Sequence, residues 1–167
     1  MENLHTPDCI RTFTGKYMNV FEPTIDMICI EDIAHALSFQ CRFGGHLPEF
    51  YSVAQHSVHC SKMVDDKFKL QALLHDASEA YLLDMPRPIK RRLNDYKLIE
   101  NKLMLLIAEK FGFKYPLENQ IKLADENMLE FEWEHIVLKK SITNSFYCWT
   151  SIDAKISFLQ TFNKLTS

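Results

Sequence analysis

Residues 67–81 read KFKLQALLHDASEAY, and the fold turns on how this stretch is interpreted. Leu70, Leu73, Leu74, Ala77 and Ala80 recur at helical spacing, so a buried helix is expected from Lys67 to Tyr81. Asp84-Met85-Pro86-Arg87-Pro88 stops it, because proline cannot continue a helix interior. Inside the apolar run sits His75-Asp76. A charged aspartate there is costly unless it is paired or bound to a metal. Imidazole nitrogen and carboxylate oxygen together suit Mn, Co, Fe, Zn or Mg. Adjacent helical residues point about 100° apart, so both side chains can reach one ion beside the helix. The dipeptide alone fits a hydrogen-bonded histidine and an aspartate paired with a basic residue better than it fits a metal site.

Upstream, Ser52 is suited to cap a helix running to about Val64 that carries His56, His59 and Cys60. This helix can pack antiparallel to the His75 helix and bring His56 alongside. His59 and Cys60 form an alternative zinc-ligand pair on one helical face, and that set needs two further ligands. Before it lies a loop, CRFGGHLPEF (41–50), and a short helix, EDIAHALS (31–38). Tyr17 to Phe21 and Asp26 to Ile30 read as two short strands of a hairpin.

Downstream, an amphipathic helix is expected from Asn94 to Phe111, closed by Gly112. Pro116 opens another that passes through Asp125 towards Lys140, and a last helix covers Ile152 to Lys164. Leu123 and Ala124 place Asp125 near an apolar face, whereas Glu126, Glu130, Glu132 and Glu134 read as a solvated acidic surface. The expected fold is mostly α, a single helical domain over residues 1–167 with a small N-terminal β-hairpin.

Composition narrows the class. Apolar residues make up 47%, charged residues 25%, and the formal net charge is -3, so no global field favours nucleic-acid polymers or an anionic membrane. Cys9, Cys29, Cys41, Cys60 and Cys148 are scattered and odd in number, which implies free thiols rather than a disulfide framework. The N-terminal MENLHTPDCIRT lacks the apolar segment of a signal peptide, and no apolar run is long enough to span a bilayer. A cytoplasmic protein is expected.

A histidine, then His-Asp, then a distant aspartate on successive helices resembles the HD-domain metal phosphohydrolases. The closer likeness is to the compact branch containing bacterial 5'-deoxynucleotidases and phage deoxyadenosine-triphosphate triphosphohydrolases. CRFGGHLPEFYSVAQHSV, ALLHDASEAYLLDMPRPIK and KLADENMLEFE carry it, over about residues 40–133. The resemblance implies one divalent metal ion on His56, His75, Asp76 and Asp125, and catalytic roles for Glu79 and Asp84. It further implies substrate phosphate contacts from Arg42, Lys90 and Lys122. Phe43 stands where the 5'-deoxynucleotidases typically have tryptophan. Relatives of this kind often assemble as homo-oligomers, and the same is expected here by analogy.

The chemistry supports those roles in part, since the spacing of Glu79 fits an exposed helix glutamate equally well and Asp84 also reads as a turn-forming aspartate. Glu79 lies one helical turn beyond His75 and Asp76, so its carboxyl can share their face and handle a proton. Asp84 sits in a turn stiffened by prolines, and Arg42 can grip phosphate oxygens in a bidentate manner. The expected activity is release of phosphate from nucleoside monophosphates as a 5'-deoxynucleotidase. A deoxynucleoside triphosphate triphosphohydrolase and a non-catalytic nucleotide-binding protein are the alternatives.

Overall fold

The computed structural model describes residues 7–139 and 146–167. The described chain is mostly helical, with one small antiparallel sheet near its start. Strand β1 (Cys9–Arg11) pairs with β2 (Tyr17–Asn19), Cys9 facing Asn19. The hairpin therefore exists, but only one of its expected strands does. Residues 26–30 do not form a strand: Ile25–Met27 make a 3-10 turn leading into α1 (Ile30–Phe39). The Asn19 side chain explains the stop, because its Oδ1 accepts from the N–H groups of Phe21 and Glu22 and turns the chain after β2. The hairpin turn is fixed to α1 by buried Asp32, which accepts from the N–H and hydroxyl of Thr14 at 2.7 and 2.8 Å.

Helix α2 (Val53–Lys62) begins as expected, with the Ser52 hydroxyl accepting from the N–H of Gln55. The preceding loop is closed at its base. Arg42 N–H donates to Tyr51 O and Val53 N–H to Gln40 O, which holds Arg42 against the start of α2.

The expected continuous helix over 67–81 is interrupted. A 3-10 turn (Asp66–Phe68) leads into α3 (Lys69–Leu73), residues 74–78 form consecutive turns, and α4 (Glu79–Leu82) resumes. His75 supplies a reason: its Nδ1–H donates to the carbonyl of Ala72 at 2.8 Å, the acceptor that a continuous helix gives to the N–H of Asp76. The segment instead tightens into i→i+3 bonds, from Ala77 to Leu74 and from Glu79 to Asp76.

A one-turn helix α5 (Arg87–Lys90) follows, with Pro88 in its first turn. Helix α6 (Asn94–Phe111) has the expected bounds, and Gly112 ends it in the left-handed conformation at φ 73°. Helix α7 (Asn119–Glu132) starts later than expected, leaving Pro116 outside it. It passes into a π turn (Trp133–Val137) closed by Leu138 N–H on Trp133 O, and its expected run to Lys140 reaches outside the described residues. Helix α8 (Ser151–Thr166) is capped by Thr150.

Helix α8 packs against α1, α2 and α3 and fills the centre with Phe158. Leu37, Val53, Leu73, Leu74, Ala77 and Ile107 join it in one core, with Trp149 packed at its edge. Burying each such aliphatic side chain contributes about 1.5–3 kcal/mol, which seats α2 and α3 firmly side by side. Helix α7 packs against both. Among the described residues no helix is long and apolar enough to cross a membrane.

Candidate metal centre

Helices α2 and α7 and the interrupted segment between α3 and α4 deliver His56, Asp125, His75 and Asp76 to one place. Nε2 of His56 stands 3.3 Å from Nε2 of His75, 3.2 Å from Oδ1 of Asp125 and 3.8 Å from Oδ2 of Asp76. Nε2 of His75 lies 3.1 Å from Asp76 and 3.9 Å from Asp125. A divalent ion with bonds of about 2.0–2.2 Å separates its ligands by about 3 Å or slightly more. The four donors fit that spacing.

The ring orientations fit as well. His75 gives Nδ1–H to Ala72 O, and His56 gives Nδ1–H to Oε1 of Glu132 at 2.6 Å. In the neutral tautomers both Nε2 atoms then carry lone pairs that face each other, an arrangement that calls for a shared positive charge. Burial opposes charge on His75, yet Asp76 and Asp125 raise its pKa well above the ordinary histidine value. Burial likewise acts against the Asp76 carboxylate, but His75 and His56 hold its pKa down to about 2. Asp125, also pushed up by burial, is pulled far below the carboxylate range by His56 and His75. The cluster concentrates negative charge and imidazole nitrogen at one point, and a cation can take the place of its protons.

Glu132 corrects the reading of α7 as having an acidic outer face. It is fully buried, whereas Glu126 and Glu130 are exposed. Besides His56, it accepts from Tyr51 Oη at 2.8 Å and from Arg42 Nε at 3.1 Å, with Arg42 Nη2 at 3.0 Å. Burial raises its pKa, but the charges of His56 and Arg42 outweigh this and keep it ionised. Its place was legible in one respect. Ile121, Ala124, Met128 and Glu132 follow one helical stripe, and the first three are buried.

Cys60 is the alternative donor. His56, Cys60 and His75 form a group close enough to hold a metal ion. Cys60 Sγ, however, is 3.4 Å from Nε2 and 3.9 Å from Nδ1 of the same His56 ring. It stands abreast of the ring rather than beyond the Nε2 lone pair, so the two aspartates are the better placed partners. His59 turns elsewhere, against Gln55, Phe146 and Trp149.

The cluster opens onto a cavity of about 1080 Å³. Asp76, Asp125, Arg42, Glu79, Asp84 and Lys90 all line it. Glu79 is 5% exposed, and its Oε2 has no hydrogen-bond partner among the described residues. Burial, then Asp76 and Asp84, raise its pKa well above the ordinary value, which favours the protonated acid. Asp84 is held by its own N–H, which donates to Gln40 Oε1 at 3.0 Å. Lys90 pairs with Glu100 and lies 3.5 Å from Glu79. Lys122 is exposed and borders a smaller pocket of about 190 Å³, which shares Asp76, Asp125 and Lys90 with the large one. Arg87, not singled out from the sequence, also lines the large cavity and pairs with Asp125 Oδ2 at 3.1 Å.

Fold and site together define a mostly helical protein whose buried histidine–carboxylate cluster opens onto a large cavity. The chain belongs to the family of the uncharacterized protein YfdR of Escherichia coli (strain K12), with which it is 49% identical over 123 residues, 74% of this chain and 69% of that protein. It is also 33% identical to the uncharacterized protein RCAP_rcc00048 of Rhodobacter capsulatus, over 75% of this chain and 71% of the relative. No protein-family model matches the chain.

Proposed function

We propose that this protein is a metal-dependent phosphohydrolase of the HD-domain type, acting on nucleotides as a 5'-deoxynucleotidase that releases phosphate from monophosphates. One observation carries the reading. Four donors lie at ligand spacing, and two of them, Asp76 and Asp125, share a cavity wall with Glu79, a buried acid with an unpartnered oxygen among the described residues. A structural site has no use for such an acid, whereas a hydrolytic one does.

His56, His75, Asp76 and Asp125 would hold the divalent ion. In such a setting the ion supplies Lewis-acid polarisation of a phosphoryl oxygen and acidification of water. The chain's own residues account for the rest. Arg42 has two nitrogens on Glu132 and leaves Nη1 towards Asp76, 3.8 Å away, where it can meet a phosphoryl oxygen. Burial acts to discharge it, but Glu132, Asp76 and Asp84 raise its pKa, so the charge is permanent. Glu79 keeps a proton for the departing oxygen. Asp84, fixed through Gln40, is placed to orient a water.

The triphosphohydrolase reading draws support from the smaller pocket, where Lys90 and Lys122 can accept further phosphates. Against it, Lys90 is already paired with Glu100, so little free positive charge is left for a polyphosphate. Product analysis separates the two: inorganic phosphate from a monophosphate, or intact triphosphate from a triphosphate. Two variants test the assignment of roles. Asp76→Asn should lose metal and turnover together, and Glu79→Gln should retain the metal while turnover falls about 100-fold or more. Full activity in Glu79→Gln would remove the acid from the account.

A further inference from the structure

The large cavity has two chemical ends. Away from the charged cluster its wall is made largely by Phe43, Met85, Pro86, Leu129, Trp133 and Val137, with His46, Glu126 and Glu130 also in the lining. An anionic group suits the first end, and the second calls for a flat apolar one.

Trp133 dominates that second end, with 48% of its surface exposed. It follows Glu132 directly, and neighbours on a helix point about 100° apart. The turn that sends Glu132 inward to His56 thus sends the indole into the cavity, and both are set by the same backbone. Trp133 also starts the π turn, a distortion of α7 of the kind often found at functional sites. Across from it is Phe43, whose ring centroid lies 6.4 Å away with the planes inclined by 36°. That spacing is near the far end of the range for an aromatic pair, about 4.5–7 Å, so neither ring satisfies the other. Phe43 is held at φ 57° and ψ 28°, left-handed backbone that a non-glycine residue adopts at some cost. Strain of this sort collects at ligand clamps. The second tryptophan, Trp149, lies away from the cavity, against His59 with Lys62 above it.

We propose that Trp133 is the surface on which the substrate's nucleobase stacks, with Phe43 as the facing wall. The inference rests on the nucleotide reading above and adds to it the residue that reads the base. Stacking accepts any base because every base has a π-face, so Trp133 favours nucleotides over other phosphate esters without choosing among bases.

The test uses the metal-loaded protein. In a Trp149→Phe background Trp133 is the sole tryptophan, and its fluorescence reports directly on contact with a base. Deoxynucleoside monophosphates should quench it, and deoxyribose 5-phosphate should not. Trp133→Ala should weaken nucleotide binding about 5- to 150-fold, the equivalent of one stacked base, leaving the abasic compound unaffected. Trp133→Phe should restore most of the loss. Emission that ignores bound nucleotide, or equal losses for nucleotide and abasic compound in Trp133→Ala, would overturn the inference. A protein that hydrolyses nucleotides with a silent Trp133 loses only this inference. A protein that binds them with quenching but hydrolyses nothing loses instead the enzymatic reading.

Discussion

His56 offers Nε2 to the cluster because Glu132 accepts the proton on Nδ1 at 2.6 Å. Partners of this kind fix the tautomer of a ligand histidine and raise its basicity, and their loss costs about 10–100-fold in metal affinity. Glu132→Gln is therefore expected to weaken Mn or Zn binding by that factor in a calorimetric titration. Unchanged affinity would mean that Glu132 does not set the ring. Glu132→Ala does more harm, since it strips the main partner from buried Arg42. It should destabilise the fold by about 3–5 kcal/mol in a denaturant titration. The sequence made His75-Asp76 readable because a charge inside an apolar run has few explanations. Glu132 escaped because it stands among three other glutamates, and Arg42, Tyr51 and His56 are 90, 81 and 76 positions away. Burial on one helical stripe was its only local sign.

At the scale of elements, the segment from Lys69 to Leu83 departs most from its own periodicity. Apolar spacing predicts one helix, and Leu73, Leu74 and Ala77 are buried as that helix would bury them, with Leu70 and Ala80 partly buried beside them. What spacing cannot reveal is that the His75 side chain takes a backbone carbonyl and tightens the next turn. The segment then ends at Leu83 with φ 69° and ψ 152°, a region nearly confined to glycine. This bend turns Asp84 towards Gln40, while Tyr96 donates to the Leu83 carbonyl. Leu83 is 65% exposed, so its side chain contributes little packing. Leu83→Gly should raise stability by about 1 kcal/mol, the strain relieved less the added freedom of the unfolded chain. A lower denaturation midpoint would show that the backbone there is not strained. The hairpin offers a parallel lesson. Its existence was legible, but its register was set by the Asn19 turn and by Asp32, 18 positions beyond the Thr14 it holds.

On the scale of the whole molecule, the cluster joins parts of the chain that the main core does not tie as firmly. Helices α2 and α3 share that core, but α7 contributes mainly to a smaller one, through Ile121 and Ala124. An ion held by His56, His75, Asp76 and Asp125 would bind α7 to the rest. It should stabilise the folded chain by about 2.7 kcal/mol when present at 100 times its dissociation constant. Thermal unfolding should thus shift upward on adding Mn or Co, fall back on chelation, and show no shift in Asp125→Asn. A shift that persists in Asp125→Asn but vanishes in Cys60→Ser would move the site to His56, Cys60 and His75. Beyond binding, a hydrolase must turn its substrate over. The most direct measurement strips the purified protein of metal, reloads it with Mn, Co or Mg, and follows phosphate release from a panel of deoxynucleoside monophosphates. Phosphate release should depend on the added ion and stop on chelation. A folded protein that binds the ion and leaves every nucleotide intact, mono- or triphosphate, would contradict the proposed function.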